Sequence, residues 1–112
     1  MRRALITLLA VVLASPAQAS DSYAHCILEK MPGVANDASM YAVVRACLAG
    51  HPNGYRASSR GAGKGWFSYG SPDECVLKKA RATPNNQAGA MISIACHCLY
   101  REPDFPGQAC AE

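Results

Sequence analysis

Apolar residues recur at helical spacing in two stretches of the chain. Met40, Val43, Val44 and Cys47 form one stripe, and Ala88, Met91, Ala95 and Leu99 form a second. Each stripe follows a shorter segment that begins with cysteine and ends in charge: Cys26-Ile27-Leu28-Glu29-Lys30 and Cys75-Val76-Leu77-Lys78-Lys79. Start and stop residues bracket all four. Ser71-Pro72-Asp73-Glu74 offers an N-cap, a proline suited to the first helical position and a glutamate to complete a capping box. That helix is expected to end before Thr83-Pro84, because the residue preceding a proline is pushed out of the helical region. Asn85 or Asn86 caps the next helix, Ser22 or Asp21 the first, and Asn36 or Asp37 the second, with Pro32-Gly33, Gly50 and Pro52 as breaks.

The two halves are copies of one device. At the offset that aligns Cys26 with Cys75, Asn36-Asp37 falls on Asn85-Asn86 and Ala46-Cys47 falls on Ala95-Cys96. Helix, turn, helix occurs twice, and the sequence predicts two antiparallel hairpins. The apolar face of the second helix in hairpin one is expected to seek the equivalent face of hairpin two.

A third apolar stretch has a different meaning. MRRALITLLAVVLASPAQA, residues 1–19, has a basic start, a short apolar run from Ala4 to Ala14, Pro16 and then Ala17-Gln18-Ala19. This is the pattern of a secretory signal peptide cut after Ala19. The run is shorter than the roughly 20 residues that span a bilayer. Arg2-Arg3 invites a twin-arginine route, but no polar residue precedes the pair and the basic region is short, so the general export route is expected. Removing the segment leaves a periplasmic or secreted domain, 20–112, which holds nine of the eleven Lys/Arg and all eight Asp/Glu. Most of the basicity departs with the signal, which argues against a nucleic-acid partner.

All six cysteines lie in that domain. A small exported chain with an even cysteine count reads as a disulfide framework, since its compartment is oxidising and its core is small. In an antiparallel hairpin the start of one helix lies beside the end of the other, so the repeat pairs Cys26 with Cys47 and Cys75 with Cys96. Cys98 and Cys110 remain, and would tie the tail REPDFPGQA to the last helix. Met31, Met40 and Met91 read as core residues.

Chemistry has few places to reside. Gly63-Lys64 suggests a phosphate loop, but Ser58 stands where its first glycine is required and Gly65 where its Ser/Thr is required. Two readings of the connector remain. Arg56, Arg60 and Lys64, interleaved with Tyr55, Trp66, Phe67 and Tyr69, would make an electropositive aromatic surface for an anionic partner. Alternatively Trp66 and Phe67 fold back over the gap between hairpins and the cations are solvated. The run Cys96-His97-Cys98, with His25, is a candidate set of soft ligands for Cu(I) or Zn. Against it, residues two apart on a helix point about 200° apart, so Cys96 and Cys98 cannot clamp one ion without unwinding. The pattern is neither C-x-x-C nor a haem attachment motif, and no Ser or Cys stands at a spacing that would build a hydrolytic triad with the histidines.

The repeated C-[IV]-L segment, the capped second helix ending in Ala-Cys, and the connector Gly65-Trp66-Phe67-Ser68-Tyr69-Gly70 together resemble a group of small exported bacterial proteins built as tandem Cys-closed helical hairpins. The resemblance covers about residues 23–100 and implies fold and export without assigning catalytic residues. Cys98 and Cys110 depart from it as an added third staple.

The expected architecture is therefore mostly α, with hairpin one over about 22–49, a glycine- and aromatic-rich connector over 50–71, hairpin two over about 72–100 and a tail over 101–112. The expected role is a non-enzymatic interaction module without cofactor or metal. Its expected partner is a periplasmic protein or an anionic envelope component. The alternatives are a metal-handling or redox-stress protein using Cys96, His97 and Cys98, and an inhibitor of an exported hydrolase that inserts the connector.

Overall fold

The computed structural model of the chain describes residues 22–65 and 68–111. The expected signal segment and its expected cleavage point, Asp21, Trp66 and Phe67 lie outside those residues. Among them are four helices: α1 (Tyr23–Lys30), α2 (Asp37–Gly50), α3 (Pro72–Ala80) and α4 (Asn86–Tyr100), with a single 3-10 turn at Gly54–Ala57. The chain is a mostly helical, disulfide-bonded fold.

Each helix starts where a side-chain oxygen meets an orphan backbone donor. Ser22 Oγ accepts from His25 N, Asn36 Oδ1 from Ser39 N and Asn85 Oδ1 from Ala88 N at 3.2, 2.9 and 2.8 Å. At α3, Ser71 Oγ accepts from Glu74 N, but the capping box expected there closes one residue early. Glu74 Oε2 accepts from Gly70 N at 2.8 Å and not from Ser71. The glutamate satisfies a donor of the incoming chain, fixing its direction into the helix.

Three disulfides are present. Cys26–Cys47 and Cys75–Cys96 close the open ends of the hairpins with Cα separations of 5.7 and 5.6 Å, and Cys98–Cys110 ties the tail to α4. The first two are the pairs that the internal repeat selects, and the third joins the two cysteines that it leaves over.

Between the hairpins the packing differs from the expectation that α2 would meet unit two. α1 lies against both α2 and α4, and α2 touches α4 only slightly. The reason is in the side chains. α1 buries Tyr23, Ala24, Ile27 and Leu28, with Met31 just beyond it, and Ala24 is small enough to allow close approach to a neighbour. α2 fully buries only Met40 and Cys47, leaves Val43 and Val44 half-buried, and exposes Tyr41 and Leu48. The narrow buried face of α2 meets α1, while the wider buried face of α1 meets both α2 and α4. α4 supplies the centre of the core with Ala88, Ile92, Ala95, Cys96 and Leu99, none of which is exposed.

At the closed ends the two hairpin turns lie side by side. Gly33 N donates to Thr83 Oγ1, Asn85 N to Val34 O and Asn85 Nδ2 to Asp37 Oδ1. Corresponding parts of the repeat thus meet each other, and Asn85 both caps α4 and holds the turn of the other copy.

Candidate functional site

The connector and the tail form the part of the molecule least explained by hairpin packing. They run alongside each other and across the C-terminal end of α4. Cys110 N donates to Ser58 O at 2.9 Å and Arg60 N to Gln108 O at 2.8 Å, around an antiparallel bridge between Ser59 and Ala109. One turn further, Gly61 N donates to Cys98 O at 2.8 Å and Gly63 N to Leu99 O at 2.9 Å. Those carbonyls belong to the last turn of α4, where a helix has acceptors without internal partners. The connector therefore caps α4 from outside.

Two residues make that close approach possible. Gly61 has φ +79° and faces Pro103 and the Arg101 carbonyl. A Cβ at Gly63 would sit 2.8 Å from the Tyr100 ring and 2.9 Å from Leu99 Cβ. Glycine is needed at 63 for space, not for its backbone angle. The glycine that suggested a phosphate loop, Gly63, is thus a packing position.

Ser58 anchors the connector to hairpin one. It is 1% exposed, its hydroxyl donates to Gly54 O, and the same oxygen lies 3.5 Å from Ala24 N of α1. Its carbonyl takes the Cys110 amide, so one buried serine joins α1, the connector and the tail. The tail itself is turned back by Phe105-Pro106-Gly107-Gln108. Gln108 N donates to Phe105 O, and Gly107, at φ +78°, takes the position that a type II turn reserves for glycine after proline.

The residues singled out for partner binding are distributed unevenly over this ridge. Arg56 is exposed on the 3-10 turn. Arg60 is half-buried, and its Nε has no hydrogen-bond partner among the described residues. Lys64 forms an ion pair with Glu102 of the tail, the only ion pair among the described residues. Tyr69 packs edge-on against Tyr100 at a centroid distance of 5.2 Å. Tyr55 does the same against Tyr23 at 4.9 Å, joining the 3-10 turn to α1.

These aromatic contacts perturb the phenols. Burial raises Tyr55 well above the ordinary value of 10.0, with the neighbouring Tyr23 adding to the effect. Burial also raises Tyr23 and, with Tyr69 adding to it, Tyr100. A folded state that holds these protons more tightly than the unfolded chain contributes stability that is complete below pH 10.0 and is lost as pH rises through the folded values. Helical circular dichroism is thus expected to fall above pH 10.0 together with the rise of tyrosinate absorbance. Tyr55→Phe is expected to move that alkaline midpoint upward. A midpoint unmoved by Tyr55→Phe would show that this phenol does not govern the transition.

The cysteine-histidine run is divided between two bonds. Cys96 pairs with Cys75 and Cys98 with Cys110, all six cysteines are bonded, and α4 continues as helix through both. In this form neither sulfur is a thiolate that could ligate a metal. His97 is exposed. Among the described residues no group of three His, Cys, Asp or Glu is placed to hold an ion.

One serine–histidine contact is not among the candidates drawn from the sequence. Ser22 Oγ lies 2.7 Å from His25 Nδ1, at the spacing of an N-cap and the third helical residue. The same hydroxyl accepts the His25 backbone N–H, so the pair belongs to the start of α1. The signal for it is Ser22 itself, a candidate cap with a histidine three residues on.

Two concavities are present among the described residues, one bordered by the start of the connector and one away from the ridge. One of about 210 Å³ sits at the open end of hairpin one, beside Ser22, His51 and Asn53. The other, about 520 Å³, runs along α3 beside Val76, Leu77, Ala80 and Arg81, and leaves Leu77 71% exposed. Around the latter, Asp73 and Glu74 occupy the first turn and Lys78 and Lys79 the last, the order that complements the helix dipole. No set of polar groups converges on it. Comparison with protein-family models, curated proteins and solved structures finds no significant match.

Proposed function

We propose that this chain is an exported, non-enzymatic binding module whose partner-facing surface is the ridge made by the connector and the tail. The observation that carries the reading is the fastening of that ridge. A connector of this length whose described residues hold a single 3-10 turn would ordinarily be slack, yet its amides and carbonyls are tied to α4 and to the tail. A loop ordered before binding loses less entropy on association, which is the use that rigid scaffolds make of their loops.

Charge suggests the class of partner. Arg56 and Arg101 are exposed, and among the described residues neither is in an ion pair. The expected partner is an anionic envelope component or an acidic patch on an exported protein. Export itself is supported by the three disulfides, which suit an oxidising compartment. Among the described residues no helix is long and apolar enough to cross a membrane. The resemblance to small exported hairpin proteins accords with this role. The metal-handling alternative would need Cys96 and Cys98 as thiolates and thus a reduced form. The inhibitor alternative uses the same ridge with an enzyme cleft as its partner.

Trp66 is the only tryptophan of the chain and lies between Lys64 and Tyr69 in the sequence, so its fluorescence is the readout. Titration with dextran sulfate at low ionic strength, where the Debye length is about 30 Å, is expected to give a saturable change. Raising the salt to about 1 M, where screening acts within about 3 Å, is expected to abolish it, and Arg56→Glu to weaken it. An unchanged spectrum at low salt would sink the anionic-partner reading.

A further inference from the structure

We propose that Cys98–Cys110 is a redox latch: its reduction by a dithiol releases the connector and tail from α4 while both hairpins stay closed. The proposal deepens the binding reading and rests on it, since what the latch holds is the surface assigned to the partner.

The three disulfides differ in what surrounds them. Cys26–Cys47 joins α1 to α2, and Cys75–Cys96 joins α3 to α4, helices that pack on each other over their lengths. Both cysteines of Cys75–Cys96 are completely buried, as is Cys47, whereas Cys26 is half-buried like Cys110, so packing and not access sets Cys26–Cys47 apart from the third bond. If Cys26–Cys47 is reduced, the core residues of α1 keep its two sulfurs adjacent and the bond re-forms, while Cys75–Cys96 is shielded from an external thiolate because both of its cysteines are buried. Cys98–Cys110 joins α4 to a segment without regular structure, whose ties to the connector are the Cys110–Ser58 and Arg60–Gln108 backbone bonds and the exposed Lys64–Glu102 ion pair. Cys110 is half-buried while Cys98 is 4% exposed, so an approaching thiolate reaches Cys110 first. This staple also has no counterpart in the other copy of the repeat, where the position equivalent to Cys98 is Ala49. The hairpins are complete without it.

The exchange balances as an ordinary thiol–disulfide reaction. A thiolate of the dithiol bonds to Cys110 Sγ as the Cys98–Cys110 bond breaks, and Cys98 leaves as a thiolate that takes a proton. The second thiolate of the reductant then attacks its own partner sulfur in the mixed disulfide and expels Cys110, which is also protonated. Two electrons pass to the protein, and the dithiol becomes a disulfide.

Opening the bond frees Cys110 to leave Ser58. The Ser59–Ala109 bridge then loses its anchor, and the Gly61 and Gly63 bonds to the end of α4 lose the layer outside them. Ser58 stays with α1 through its side chain. The ridge changes shape and the core does not.

The test uses the full oxidised chain without a partner. Graded dithiothreitol, quenched by alkylation and mapped by mass spectrometry, is expected to label Cys98 and Cys110 before any other cysteine. At that stage amide exchange over 58–63 and 108–110 is expected to rise roughly 100-fold, the factor that closing a loop of this size is worth, with α1 to α4 still protected. Cys98→Ala combined with Cys110→Ala is expected to show the same exchange pattern without reductant. Labelling of Cys26, Cys47, Cys75 or Cys96 at the same or lower reductant overturns the latch, as does connector protection that survives its opening or survives in the double variant. These readouts contain no ligand, so failure of dextran sulfate to bind would strike the partner reading alone. Equal dextran sulfate affinity of the oxidised chain and the double variant would overturn the latch as a control on binding.

Discussion

Cys75→Ala combined with Cys96→Ala is expected to lower stability by about 3 kcal/mol and, in addition, to let α3 come away from the rest of the fold. The first effect follows from the loop. The two hairpin disulfides span the same separation of 21 residues, so the chain-entropy model assigns Cys26→Ala with Cys47→Ala the same loss of about 3 kcal/mol. For a domain whose whole margin is about 5–15 kcal/mol, either loss is large. The second effect separates them. α3 has nine residues and fully buries only Cys75, so once the bond is gone it is held by the half-buried Val76 and Ala80. A helix that short has little stability alone. α1 keeps Tyr23, Ala24, Ile27 and Leu28 in the core after losing its bond. Urea melts of both variants should therefore show similar midpoint losses, while amide exchange shows α3 opening in one and α1 staying closed in the other. If α3 remains as protected as α4 in the Cys75/Cys96 variant, packing rather than the disulfide holds it in place.

Gly63→Ala is expected to cost about 1–3 kcal/mol, the range for forcing a methyl into a filled space. The added Cβ would meet Leu99 Cβ at 2.9 Å and the Tyr100 ring at 2.8 Å. Neither can yield cheaply. Leu99 is completely buried, and Tyr100 is packed against Tyr69. The connector must lift, and with it the Gly63 N–H bond to Leu99 O that caps α4. Gly65→Ala is the control, since nothing lies within 4 Å of a Cβ there. Urea unfolding of the two variants decides the matter. Equal midpoints would mean that the connector does not rest on α4.

Four helices, their caps and the three disulfide pairs were legible in the sequence because each depends on neighbours in the chain. Ser22, Asn36, Ser71 and Asn85 act on donors three residues away, and two cysteine pairs follow from a repeat that places hairpin ends together, which leaves Cys98 and Cys110 as the third. Local signals of that kind survive without knowledge of the fold. The candidate site was legible only as composition. Glycines alternating at 61, 63 and 65 were visible, but whether they cradle a ligand or lie against a helix depends on what the fold brings beside them.

Tertiary structure decided the rest, for one physical reason. Contacts between distant segments compete for the same surfaces, and the winner depends on shape as well as polarity. α1 took the place between α2 and α4 because Ala24 permits close approach and Ile27, Leu28 and Met31 need burial more than the stripe of α2 does. Ser58, an ordinary serine in the sequence, became the buried junction of α1, connector and tail. The order along the chain determined which elements form and which cysteines meet. Packing in three dimensions determined that the connector is a ridge fastened to α1, to the end of α4 and to the tail.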